Sequence, residues 1–219
     1  MAYETVERLI QAFREDEKDD VQPYFWSDSQ LVRWTNEALT EFAEESMSIY
    51  DDQSPFTFVS YGEGETRFEI DPCVIDVVDA WVDGHRHHRL RKGWPEGVDW
   101  RGGYGAFPVG FFSNFHFDPS GVLRLHPKPA EPGLLRLRVI RRPVREVAKC
   151  DPVPDLLPAD RRYLLWYIAY KAYRVNEAET YSAASSAEHL QRFREACQTA
   201  REKAILRRGD CSRPIRSCW

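Results

Sequence analysis

The hydrophobic period of this chain changes twice along its length, and that change limits the architectures open to it. Over residues 1–50 apolar side chains recur at helical spacing, over residues 55–145 they alternate between Gly- and Pro-marked turns, and after Pro143 the helical spacing returns. Each helical half is too small to bury a core of its own. The expected fold class is therefore α+β, a four-helix bundle built from the N- and C-terminal helices with a β-rich insert projecting from it. The boundaries read as residues 1–54 and 146–208 for the bundle, 55–145 for the insert, and 209–219 for a flexible basic C-terminal tail.

Local signals place the elements. Val6, Leu9, Ile10 and Phe13 lie on one helical face before the polar run EDEKDDVQP breaks the period. Ser27 and Gln30 have the spacing of a capping box, so a second helix should start near Asp28. Leu31, Trp34, Ala38 and Phe42 keep one of its faces apolar, while Glu37, Glu41, Glu44 and Glu45 charge the rest to about Tyr50. In the insert, Phe56–Ser60 and Arg67–Ile70 around Gly62 and Gly64 read as one hairpin. VIDVVDAWV, Asp83-Gly84 and HRHHRL read as another. A Gly-, Trp- and Pro-rich excursion follows, then FFSNFHF, VLRLHPKP and LLRLRVIRRP as three strands of a meander. Asp160 is placed to cap a helix whose residues Tyr163–Tyr173 leave almost no polar face, so it must be covered on several sides. A last helix carries Leu190, Phe193, Cys197, Ala200 and Ala204 on one stripe and stops at Gly209.

Composition excludes several classes. With 42% hydrophobic, 13% aromatic and 30% charged residues, the chain is neither disordered nor collagen-like. Its longest apolar runs are far short of the ~20 residues that cross a bilayer, and the start lacks a basic, apolar leader, so a soluble, unexported chain is expected. Five scattered cysteines without a C-x-x-C pair suit reduced thiols, and only Cys211 and Cys218 are close enough to pair locally. The net charge of -5 is unevenly spread: residues 1–52 hold fourteen Asp/Glu against four Lys/Arg, and residues 53–219 hold twenty-one against twenty-six. Such polarity suits head-to-tail association with copies of itself or with a charged partner, although a solvated acidic helix face accounts for the same charges.

Chemical motifs are sparse. His85, His87 and His88 on a strand would point to two faces with no carboxylate or thiolate fixed by spacing, which describes a polar strand better than a metal site. Gly102, Gly103 and Gly105 lack both the Lys-Ser/Thr of a phosphate loop and a strand-to-helix setting. No nucleophile elbow or metalloprotease motif is present, and Asp71, Asp76, Asp79 and Asp83 read as dispersed solvent-facing carboxylates. No catalytic residue, cofactor or metal is indicated. Arg136, Arg138, Arg141, Arg142 and Arg145 form the densest basic run and are candidates for phosphate contact, with a solvated outer strand face as the simpler account. That run supports an alternative reading, a DNA-packaging accessory that binds duplex DNA without sequence preference.

The opening helix, the FWSDSQLVRWTNEAL segment, the stretch GVLRLHPKPAEPGLLRLRVIRRP and the C-terminal LLPADRRYLLWYIAYKAYRVNEAETYSAASSAEHLQRFREACQTA together carry a wider likeness. In this order they resemble the head-to-tail adaptor proteins (head completion, or tail-tubular) of short-tailed bacteriophages, over about residues 3–208. The resemblance implies a structural protein of the virion, made in the host cytoplasm, that forms a homo-oligomeric ring, typically of twelve copies, at the head–tail junction. Its implied partners are the portal protein, tail nozzle or tail fibre proteins, and genomic DNA that passes through the lumen without sequence-specific contact; no membrane, enzyme activity or cofactor is implied. The C-terminal helix and tail of such proteins commonly reach the portal, which here points to Arg201, Lys203, Arg207, Arg208, Arg213, Arg216 and Trp219. A strongly basic lumen would hold DNA and impede ejection, so a mixed or acidic channel surface with Glu-rich helix faces is expected.

Overall fold

Helix formation begins where the sequence offers caps. The Thr5 hydroxyl accepts the Arg8 amide at 3.3 Å and opens α1 (Val6–Asp16), which buries Val6, Leu9, Ile10 and Phe13. Ser27 and Gln30 close the expected capping box, the Gln30 amide donating to Ser27 Oγ at 3.3 Å and the Ser27 amide to Gln30 Oε1 at 2.8 Å. The helix that follows, α2 (Asp28–Ser46), stops short of Tyr50 because Met47 turns left-handed, with φ 48°, and returns its amide to Ala43. The computed structural model describes residues 3–82, 89–93, 109–110, 113–175 and 181–207 of the chain, Val109 and Gly110 by backbone alone.

Two further helices, α3 (Tyr163–Ala172) and α4 (Ala183–Arg207), complete the α-helices among the described residues. Asp160 does not cap α3 through its side chain; the helix is entered through a run of turns in which the Tyr163 amide donates to the Asp160 carbonyl at 2.9 Å. Three ring contacts tie the helices together: Phe42 with Tyr163 at 6.5 Å, Phe42 with Phe193 at 6.4 Å, and Tyr167 with Phe193 at 5.1 Å. The buried stripe of α4 is Phe193 followed by Ala196, Cys197, Ala200 and Ala204, four small side chains that let neighbouring backbones come close, while Leu190 is only half-buried. Residues 143–153 lie along these helices, with Val147 bonded in both directions to the Asn36 amide group and the chain start pinned by Val6 to Asp151 and Val153 to Glu4.

The chain divides into two compact units, residues 1–49 with 143–219, and residues 50–142. The second unit is β-rich. Its strands are β1 (Tyr50–Asp51), β2 (Phe58–Tyr61), β3 (Arg67–Glu69), β4 (Val74–Val82), β5 (Arg91–Lys92), β6 (Val109–Gly110), β7 (Asn114–Phe117), β8 (Val122–His126), β9 (Lys128–Pro129) and β10 (Gly133–Arg141). β10 organises one sheet, pairing antiparallel with β1, β2 and β4. A second sheet has the order β3-β8-β7-β5 with β5 parallel to β7, and β6 pairs with β9. Apolar faces of both larger sheets meet in one core that includes Phe68, Val77, Ala80, Phe115, Leu123, Leu135, Leu137 and Val139.

Two strand pairings differ from the sequence reading. The segments around Phe58 and Phe68 do not form a hairpin with each other: β2 pairs with β10, Tyr61 opposite Gly133, and β3 pairs with β8, Phe68 opposite Leu123. The Gly62–Glu65 turn is present, with Gly64 at φ +72°, but it passes the chain from one sheet to the other. In the expected meander, β7 and β8 do form a hairpin across the Asp118–Gly121 turn, whereas β10 leaves for the other sheet. Long-range pairing wins in both cases because it puts Phe68 and Leu135 into a common core that a local hairpin would leave half-open. The Asp83-Gly84 turn lies outside the described residues; its flanks meet antiparallel at Trp81 and Arg89.

Candidate functional site

The basic run on β10 is held by its own unit. Alternation on the strand buries Leu135, Leu137 and Val139 and turns Arg136 and Arg138 outward, where both approach Asp52, at 3.9 and 3.8 Å. Arg138 also faces Asp79 at 3.7 Å, a carboxylate that Arg89 shares. Arg141 is buried, donating from Nε to Asp51 at 2.6 Å. Burial alone would raise the Asp51 pKa, but the Gln53 and Ser54 amides, the Ser54 hydroxyl and Arg141 outweigh it and hold the carboxyl at about 2. Arg142 donates to the Pro72 carbonyl at 3.0 Å, and Arg145 belongs to the helical unit, 3.9 Å from Asp151. The structure thus gathers Arg136 and Arg138 on one face and directs the other three elsewhere.

The other sequence candidates divide between surface, core and undescribed residues. Asp71 holds the Cys73 amide, which lowers its pKa, and Asp76 pairs with Lys92 at 2.6 Å. His85, His87, His88, the three glycines 102, 103 and 105, Asp83, Cys211 and Cys218 fall outside the described residues, as do Arg208, Arg213, Arg216 and Trp219. The aromatic residues of α3 and of its C-terminal cap are packing elements: Tyr163 and Tyr167 are buried, and the hydroxyl of the cap residue Tyr173 donates to Glu17, burial and that bond pushing its pKa up to about 12. Among the described residues, no three His, Cys, Asp or Glu side chains are grouped to hold a metal ion, and no helix is long and apolar enough to cross a membrane.

An open cleft of about 1100 Å³ runs between α2 and residues 143–149. Four of the charges along it are matched in place, Lys149 with Asp28 at 2.7 Å and Lys171 with Glu37 at 2.6 Å. Glu41 of α2 also lines it, and there burial and the neighbouring Glu44 and Glu45 raise its pKa.

Two surfaces of the helical unit stand out instead. The first is the loop between α1 and α2, built around Arg14. That guanidinium is 6% exposed and bonds to Asp19, to the Trp26 carbonyl at 2.8 Å and to Asp28 at 2.8 Å, while its carbon lies 3.8 Å from the centre of the Tyr24 ring. Asp19 in turn accepts the Phe25 amide at 2.6 Å. The loop is therefore fixed from within, yet it turns Val21, Tyr24 and Phe25 outward. Sequence reasoning missed this surface: the acidic run and the Phe-Trp pair were visible, but nothing in their spacing told that Trp26 goes in and Phe25 stays out.

The second surface is the last turn of α4. Arg201, Lys203 and Arg207 are exposed there, and so are Ile205 and Leu206, at 48% and 67%. Lys203, Leu206 and Arg207 are neighbours at i, i+3 and i+4 spacing. Neither surface resembles a catalytic cleft; both have the mixture of apolar and charged groups found where proteins meet.

No curated protein matches the chain. The model described as SU10 adaptor protein matches residues 4–216, nearly the span over which the sequence resembles phage head-to-tail adaptors, and the chain belongs to that family.

Proposed function

We propose that this chain is a structural head-to-tail adaptor that assembles into a ring, docks on the portal of the DNA-filled capsid and presents a surface to the tail. The family match over residues 4–216 is the observation that carries the reading. The adaptor role and virion location follow the family; the ring, its twelve copies and its docking are the finer part of the proposal. Charge polarity supports it, since a ring needs two unlike faces on each subunit and a rotation that closes. In this reading the helices of residues 1–54 and 146–208 make a bundle that holds the ring together, and the insert of residues 55–145 is offered to tail proteins. The basic residues from Arg201 to Trp219 face the portal, and weak contacts repeated around two coaxial rings give firm attachment. The channel surface is mixed or acidic, DNA passes without being gripped, and no chemical step is assigned.

The test is mass photometry of the purified chain with and without the portal of the same phage, together with a DNA mobility shift. Closed rings or portal complexes support the adaptor. Monomers that bind duplex DNA and release it with salt would establish the packaging accessory instead, through Arg136 and Arg138. Deleting residues 209–219 should leave the fold intact and weaken portal attachment; undiminished attachment would remove the tail from the proposal.

A further inference from the structure

Resting on the ring reading, we propose that neighbouring copies are joined by the α1–α2 loop of one subunit seated on the last turn of α4 of the next. The loop is the male element: residues 15–20 carry five carboxylates against one lysine, Asp16 and Asp20 are exposed, and Val21, Tyr24 and Phe25 stand out beside them. The receiving turn has the opposite character: Leu206 is 67% exposed between Lys203 and Arg207, Ile205 and Arg201 lie on its flank, and its three exposed bases outnumber its one exposed acid, Glu202. Apolar groups meet apolar groups, and the net charge of the loop is opposite in sign to that of the turn, which favours this register over a contact of either patch with itself.

The two patches cannot satisfy each other within one subunit. The loop sits at the start of α2, which begins at Asp28, whereas Ile205 shares a cleft with Glu44 and Glu45 at the other end of that helix. Seventeen residues separate Asp28 from Glu45, roughly 26 Å of helix at ~1.5 Å per residue. Two unlike, complementary patches at opposite ends of one body make a head-to-tail contact that repeats, and such a contact closes into a ring or continues as a filament. Arg14 gives the loop its shape before contact, so little ordering is needed when it docks.

Paired terminators test this directly. F25D spoils the loop and leaves the α4 turn intact; L206D does the reverse. Both side chains are exposed, so both variants should fold, with circular dichroism as the check. The full-length wild-type chain should assemble in analytical ultracentrifugation, each variant alone should weaken assembly at least about tenfold, and an equimolar mixture should yield heterodimers and nothing larger. The charge swap gives a second readout: D20K and K203E should each weaken assembly, and mixing the two single variants should restore contact between them. A wild-type chain that assembles while F25D and L206D assemble equally well overturns this interface and leaves the ring standing. A wild-type chain that stays monomeric at millimolar concentration, with and without portal, overturns the ring and the interface together.

Discussion

Arg14 and Arg141 are the two arginines buried among the described residues, one in each unit, and they are put to different uses. Arg141 closes a sheet: it lies at the end of β10 and meets Asp51 on the neighbouring β1, so its ion pair runs between strands already joined by backbone bonds. Arg14 has no such frame. It reaches from α1 to Asp19, Trp26 and Asp28, and those bonds are what give the α1–α2 loop a single shape. A buried cation that reinforces regular structure adds stability; one that organises an irregular loop also decides which side chains the loop shows to a partner.

The comparison breaks first at Arg14. In R14A the Asp19 carboxylate, 2% exposed, keeps the Phe25 amide but loses its counter-ion, and breaking a buried ion pair in this way costs about 3–5 kcal/mol. Urea unfolding should show that loss, and limited proteolysis should cut within residues 18–27 of the folded variant. A loss below about 1 kcal/mol with an uncut loop would mean that the loop holds its shape by other means.

At Asp51 the expected effect is smaller and depends on pH. Its folded-state pKa lies near 2, below the ordinary 3.8, so the ionised form is favoured by folding. The associated stability is therefore fully present above about pH 4 and is lost as pH falls toward 2. The difference between 3.8 and about 2 corresponds to roughly 2.5 kcal/mol at most. In D51N the stability at neutral pH should drop by up to that amount, and the variant's stability should fall less steeply than the wild type's between pH 4 and 2. Parallel curves across that window would detach Asp51 from the acid response of the β-rich unit.

The two units also differed in how far the sequence revealed them. Helical periodicity is a local signal, so Val6, Leu9, Ile10 and Phe13 on α1, and Phe193, Cys197, Ala200 and Ala204 on α4, were readable from spacing alone and are buried. Strand character was readable too, since Leu135, Leu137 and Val139 alternate with Arg136 and Arg138 and are buried as expected. Partners were not. A strand's period says which face is apolar but not which strand lies beside it, and β3 finds β8 across more than fifty residues of chain. One trace was present: Gly133 faces Tyr61, and a Cβ there would fall 2.4 Å from the tyrosine oxygen, so the pairing demands a glycine, yet a PG dipeptide also marks a turn and reads that way first. The docking loop was hidden for a similar reason. Arg14, four residues after Ile10, borders the apolar stripe of α1, and only the return of the chain through Trp26 and Asp28 makes it a hub.

Ser27 provides the smallest test, because it was legible in the sequence and sits between the loop and α2. Its hydroxyl accepts the Gln30 amide, and the Gln30 side chain accepts the Ser27 amide, so the box fixes where the loop ends and the helix begins. S27A removes one of these two bonds and should cost about 1 kcal/mol. Q30A should cost less, since it leaves the hydroxyl cap in place. In the double variant the two losses should fall short of adding, as is usual for groups that share one network. If S27A also loosens loop 18–27 in limited proteolysis, the cap and the arginine form one device. An uncut loop would show that Arg14 sets the loop's shape alone and that the cap serves only α2.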